Sequence, residues 1–211
     1  MSLQRIAGAA TLGLILASAA VASAQAACPA GLPPGVACGE HSATEALAGS
    51  YALDPMHAAV IAKVSHIGYS KSVFRFDKVK GDLAWQPAAL DKTKLSVTVE
   101  TASIVTNVPG FAAEIGDKFI NAKGFPKATF VSTAFRQTGP THGQVDGQFT
   151  LMGKTRPVTF DVELVGAGKG FGKPRMGVEA STRINTADFG LPAIFGESIE
   201  LVVDAEFAKT D

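Results

Sequence analysis

Apolar and polar residues alternate along most of this chain. From Gln144 to Leu151, the positions Val145, Gly147, Phe149 and Leu151 share one side. From Pro157 to Val165, Val158, Phe160, Val162 and Leu164 do the same. From Ser198 to Phe207, so do Ile199, Leu201, Val203, Ala205 and Phe207. Successive strand residues point to opposite faces, so each segment carries one apolar and one mostly polar face. The pattern predicts strands at about 51–54, 58–66, 72–85, 94–105, 128–136, 143–152, 156–166, 175–185 and 197–207. Breaks at Lys80-Gly81-Asp82, Thr138-Gly139-Pro140 and Gly166 to Gly172 read as bends and hairpins, and Met152 to Arg156 as a tight hairpin. So many strands in one chain predict a closed sheet, wet outside and apolar inside. Such an interior is either a packed core or a container for an apolar ligand.

Two stretches break the alternation. In Asn107 to Phe119, Phe111, Ile115 and Phe119 recur every four residues, which predicts one or two short helices weakened by Gly116. Ala187 to Phe195 reads as a helical turn or a loop. Both carry more aromatic residues than a solvated loop needs. They are read either as plugs in a barrel end or as lids over a pocket mouth.

The ends of the chain change the picture more than its bulk composition does. Arg5 precedes an apolar stretch from Ala9 to Ala22, closed by Ala22-Ser23-Ala24. This predicts a secretory signal peptide over 1–24, and hence an exported, periplasmic protein. The apolar run is short and Ala-rich for a transmembrane anchor. Residues 25–49 are rich in Ala, Gly and Pro and read as an extended tail, with one folded domain over 50–211. The two cysteines, Cys28 and Cys38, sit in that tail. Export permits a disulfide between them, which would close a local loop, while lipidation of Cys28 is the alternative. Lys and Arg total 19 and Asp and Glu total 19, with no basic cluster, which argues against a nucleic-acid surface.

Catalytic chemistry finds little support. The four histidines, His41, His57, His66 and His142, form no metal-binding spacing, and two cysteines alone are an incomplete ligand set. The chain has no phosphate-binding Gly-Lys-Ser/Thr loop and no Gly-x-Ser-x-Gly elbow. His66 ends the face that carries Ala58, Val60, Ala62 and Val64, and it reads as a structural residue or a ligand-head contact near a barrel end. Arg183, with Asp188 close by, reads as a structural ion pair or an anion contact. An acid–base enzyme would need His66 and an acid such as Asp54 to converge in one pocket.

Six short motifs, in order, resemble the YceI-like family of polyisoprenoid-binding, lipocalin-like proteins. Tyr51-Ala52-Leu53-Asp54-Pro55-Met56-His57 looks like its opening Y-x-L-D-x-x-H, and Val64-Ser65-His66-Ile67-Gly68-Tyr69-Ser70 like V-x-H-x-G-x-S. Ala102 to Asn107 and Phe125 to Phe130 resemble its mid-chain S-I-x-T-x and F-P-x-x-x-F. Gly147 to Val158 is close to G-x-L-T-I-H-G-x-T-x-P-V, and Arg183 to Gly190 resembles R-x-x-x-x-D-F-G. The resemblance implies an all-β, extended antiparallel eight-stranded lipocalin-like barrel with short helices in the crossing loops. It implies a binding protein, not an enzyme, that needs no cofactor or metal. Its ligand would be a long isoprenoid, such as a quinone or polyprenyl lipid, or a fatty-acyl chain, held for transport, storage or stress response. Transient membrane contact would load it. A solidly packed stress or interaction barrel is the alternative. The pocket candidates are Phe119, Phe149, Phe160, Met176 and Phe189, with His66 and Arg183 as head-group or mouth candidates.

Overall fold

The computed structural model describes residues 28–211. The sequence-predicted leader therefore lies outside the described residues. Ten strands form one antiparallel sheet: β1 Gly49–His66, β2 Ser70–Phe76, β3 Val79–Trp85, β4 Lys94–Glu100, β5 Ile104–Val105, β6 Lys127–Gln137, β7 His142–Leu151, β8 Lys154–Gly170, β9 Lys173–Asn185 and β10 Ser198–Lys209. Neighbours run β10-β9-β8-β7-β6-β4-β3-β1, and β10 pairs again with β1, so eight strands close a barrel. Closure leaves none of these strands as an open edge. β2 and β3 lie end to end along one side of β1. β2 faces Val60–His66 and β3 faces Gly49–Ala52. β5 likewise continues the line of β4 by pairing with β2.

Two predicted strands thus merge, and two others divide. The gap between 51–54 and 58–66 is a bulge within one 18-residue strand, where the register against β10 shifts between Leu53 and Ala58. Pro55 has no N–H to give the ladder, so the chain must bulge there. The stretch 72–85 breaks at Asp77-Lys78. There the Lys78 N–H donates to Ser103 Oγ (3.1 Å) and the Asp77 N–H to the Ser103 carbonyl (3.4 Å). The β7–β8 hairpin turns on Met152 and Gly153, with φ of 50° and 72°, a twist that suits tight hairpins.

The alternating faces point as the pattern predicts. On β8 Phe160 is buried while Thr159 and Asp161 are exposed, and on β10 Ile199, Leu201, Ala205 and Phe207 are all buried. A second bulge between Leu164 and Gly166 resets the phase. Val165 turns outward, and Ala167, on the other parity, becomes buried. Gly147 continues the inward face of β7 because Phe130 on β6 lies over it. A Cβ there would sit 2.3 Å from the Phe130 ring.

Strand directions sort the connections into two ends. One end, the crossing end, holds the 67–69 turn, the segment 106–126, the 152–153 turn and the segment 186–197. The other holds the β3–β4 connection, the 138–141 turn, the 171–172 turn and the entry from residue 48. Segment 106–126 contains α1 Phe111–Glu114 and a wider helical turn, Ile115–Phe119. Segment 186–197 contains α2 Thr186–Phe189.

The tail is partly docked. Cys28 and Cys38 are disulfide-bonded, with Cα atoms 5.8 Å apart. Just beyond, Glu40 pairs with Ala167 of β8 through two backbone bonds of 2.8 and 2.9 Å. Gly39 and Gly166 permit this approach, since a Cβ on either would meet the other's backbone at 3.3 to 3.4 Å. The chain then turns under the barrel end, where the Trp85 indole N–H donates to the Ala46 carbonyl (2.9 Å) and the Tyr51 hydroxyl to the Leu47 carbonyl (2.7 Å).

Candidate functional site

The inward faces do not meet to fill the barrel. They enclose a cavity of about 360 Å³, within the usual range of ligand sites. Its middle is apolar throughout, with Ala62, Val97, Phe130, Phe160, Val162 and Leu201 contributed by five different strands. The cavity persists because small residues face large ones: Ala62, Ala128, Ala180 and Ala205 line it beside phenylalanines that already pack in edge-on pairs. Phe130 and Phe160, for example, stand 5.1 Å apart at 80°.

One end is shut. Ile115 and Ile120 from the first crossing segment, and Leu191 from the second, are buried and line the cavity there, so these segments act as a plug. The other end is open. Every exposed residue in the lining lies there: Pro87, Arg136, Gln137, Pro140 and His142. Ala43, Ala46, Trp85 and Leu90 complete this rim. The reading of the crossing segments as lids over a mouth is therefore corrected. Their aliphatic residues turn down into the barrel, and the mouth lies at the opposite end.

Of the predicted pocket residues, Phe149, Phe160 and Met176 line the cavity. Phe119 and Phe189 do not. Phe119 packs on Phe195 (5.1 Å) and Phe189, 1% exposed, packs behind Phe149 (5.3 Å), so both support the plugged end from outside the cavity. The two head-group candidates also lie away from it. His66 extends an inward face past the rim at the crossing end and is exposed. Arg183 is on the outer face, where its guanidinium approaches Glu200 (3.5 Å). Lys63 and Lys71 hold the same carboxylate at 2.9 and 2.8 Å, and these two ammonium groups keep Glu200 down at about 2.

The residues that line the open rim escaped the sequence reading. Trp85, Pro87 and Leu90 lie in or next to a connection where apolar side chains have no strand period. Their only signal is a concentration of apolar residues in an expected turn.

Asp54 and His66 do not converge. They lie at opposite ends of β1, and Asp54 belongs to an outer network. Its carboxylate accepts from Arg175 (2.8 Å), lies 3.1 Å from His57 Nδ1 and is held at about 2, chiefly by the Arg175 hydrogen bond. Arg175 also bonds Glu206. Asp54, His57 and Glu206 stand close enough to share a metal ion, but the guanidinium already occupies both carboxylates.

The profile of the YceI-like domain matches residues 51–207. The chain belongs to the YceI-like family. A UPF0312 protein of Pseudomonas putida is 37% identical over 174 residues, covering 80% of this YceI-like chain and 91% of the relative. A solved YceI protein of Campylobacter jejuni superposes with a TM-score of 0.62 at 25% identity, over 71% of this chain and 91% of that one. A domain of Saccharophagus degradans, described as polyisoprenoid-binding and implicated in plant cell wall breakdown, gives a TM-score of 0.61 at 13% identity. It covers 76% and 98% of the two chains, a likeness of fold alone.

Proposed function

We propose that this YceI-like protein is an exported carrier that holds a long isoprenoid or fatty-acyl chain inside the barrel. One observation carries the reading: an apolar cavity plugged at one end and open at the other. An isoprenoid tail of some 20 carbons costs on the order of 15 kcal/mol to hydrate, and an apolar lining removes that cost without covalent chemistry or a cofactor. The tail enters first and stops against Ile115, Ile120 and Leu191. The head group is left at the rim, near Gln137 and Thr141. These are uncharged hydrogen-bonding side chains, and the nearby Arg136 is paired with Asp146. That favours a neutral head, such as a quinone or an alcohol, over a phosphate. The polyisoprenoid-binding description of the S. degradans domain agrees with the reading. So does the leader pattern of residues 1–24, which supports export to the periplasm.

The test is mass spectrometry of organic extracts from natively purified protein, followed by loading of apo protein with a long-chain isoprenoid quinone and gel filtration. Wild type should retain quinone saturably. Met176→Trp, which places an indole across the cavity, should retain none while melting as a folded protein. No apolar species in the extracts and no retention by wild type would refute the carrier reading.

A further inference from the structure

The β8–β9 hairpin ends in Lys169-Gly170-Phe171-Gly172-Lys173, with Gly170 and Lys173 as its last pair. It lies at the same end of the barrel as the open rim. Phe171 stands at the tip with φ of +51°, a left-handed conformation that bulky residues seldom adopt, and it is 62% exposed. Ile67 and Met152 stand at the same position of two other hairpins, each with φ of 50°, so the conformation belongs to the turn type and the exposed aromatic ring is what sets this tip apart. The ring rests over the Arg175 guanidinium, 5.1 Å from its centroid, and Asp54 and Glu206 fix that guanidinium in turn. The aromatic side chain is thus presented on a braced support. On either side of it, Lys169 and Lys173 have no carboxylate within ion-pair distance among the described residues.

We infer that this hairpin docks the barrel, mouth first, on an anionic phospholipid surface. Phe171 enters the acyl boundary, and Lys169 and Lys173 meet the lipid phosphates. A tip that buries an aromatic ring between two free cations matches the chemistry of a bilayer interface, apolar within and negative at the surface. The opposite end fits less well. Ile67 and Tyr69 are 68% and 89% exposed there, but the nearby cations Lys63, Lys71 and Arg183 are all drawn toward one carboxylate, Glu200, on the outer face and not toward the tip. Docking at the rim places the cavity mouth against the source of its ligand. The inference extends the carrier reading to how the chain enters. Vesicle binding is read without any loaded lipid, so the two can fail separately.

The experiment is flotation of the exported protein, disulfide intact, with phosphatidylcholine vesicles with and without phosphatidylglycerol. Wild type should float with anionic vesicles and release as salt is raised. Lys169→Gln with Lys173→Gln should weaken binding ~25-fold, at about fivefold per lysine. Phe171→Ser should weaken it ~10-fold through lost apolar burial. Tyr69→Ser should bind as wild type, and all variants should keep the wild-type melting temperature. Equal binding to neutral and anionic vesicles, or no effect of Phe171→Ser, would overturn the inference. So would loss of binding in Tyr69→Ser, which would place docking at the crossing end. A concentration-dependent dimer in sedimentation that Phe171→Ser abolishes would assign the tip to a second copy of the chain instead.

Discussion

Replacing Phe160 by Asp tests the central geometric claim, that the inward face of β8 meets an apolar space and not water. Phe160 is 8% exposed, lines the cavity and packs edge-on against Phe130 at 5.1 Å. Removing a buried phenylalanine costs about 3–5 kcal/mol. The new carboxyl would find no cation inside, so at neutral pH it must either stay charged in an apolar setting or take up a proton. Either adds roughly 1–3 kcal/mol. A total near 5 kcal/mol lowers the melting temperature by about 10–20 °C in a domain of this size. The gap should narrow as pH falls from 7 to 4, because the folded-state pKa of the new group is raised and protonation favours the fold. Phe160→Leu should cost about 1–2 kcal/mol. The outward control is Asp161→Ala, which loses one exposed hydrogen bond from Gln144 (2.8 Å) and should stay within about 0.5 kcal/mol. Thr159→Asp is a poor control, because the Thr159 hydroxyl donates to Asp146 (2.7 Å) and a carboxylate there would face a like charge. Melts followed by far-UV circular dichroism decide the matter. A Phe160→Asp loss as small as that of Asp161→Ala would show a water-filled interior and refute the reasoning.

Gly147→Val should cost about 2–3 kcal/mol in chemical denaturation, because its Cβ would overlap the Phe130 ring and force the two strands apart. Arg175→Met should invert the acid response. In wild type, Asp54 is held at about 2, so its contribution is full above the ordinary carboxylate range and is lost as pH falls from about 4 toward 2. Without Arg175, Asp54 and Glu206 repel each other, and the variant's melting temperature should rise as pH is lowered from 7 toward 4.5. A continuous fall over that range would contradict the assignment. Cys28→Ser with Cys38→Ser should move the barrel's calorimetric melting temperature by less than about 3 °C, because the bridge closes a local ten-residue loop outside the barrel ring.

Period-two alternation was enough to determine which face of β7, β8 and β10 is apolar, because a strand's side chains have only two directions. It also pointed to a closed sheet, one of the arrangements by which nine such segments can hide a greasy face each. The helical spacing of Phe111, Ile115 and Phe119 marked the crossing segment correctly. Motif order from Tyr51 to Gly190 carried the family, and the profile match over residues 51–207 contains all six motifs. What the pattern does not hold is depth. An inward residue reads the same whether it meets another side chain or empty space. Only the tertiary structure, by setting Ala62, Ala180 and Ala205 opposite phenylalanines from distant strands, decides that a cavity remains. Nor does alternation say which end is plugged. Ile115, Ile120 and Leu191 shut the crossing end, and Trp85, Leu90 and Ala46 leave the other open, through contacts between segments more than 25 residues apart in the chain. Phe119 and Phe189 were legible as aromatic, but not as wall behind the cavity, and Arg183 was legible as a partner for an acid, but the acid is Glu200 on the outer face and not the expected Asp188. Sequence spacing fixes direction along one strand, whereas position across a barrel depends on where that strand stands in the ring.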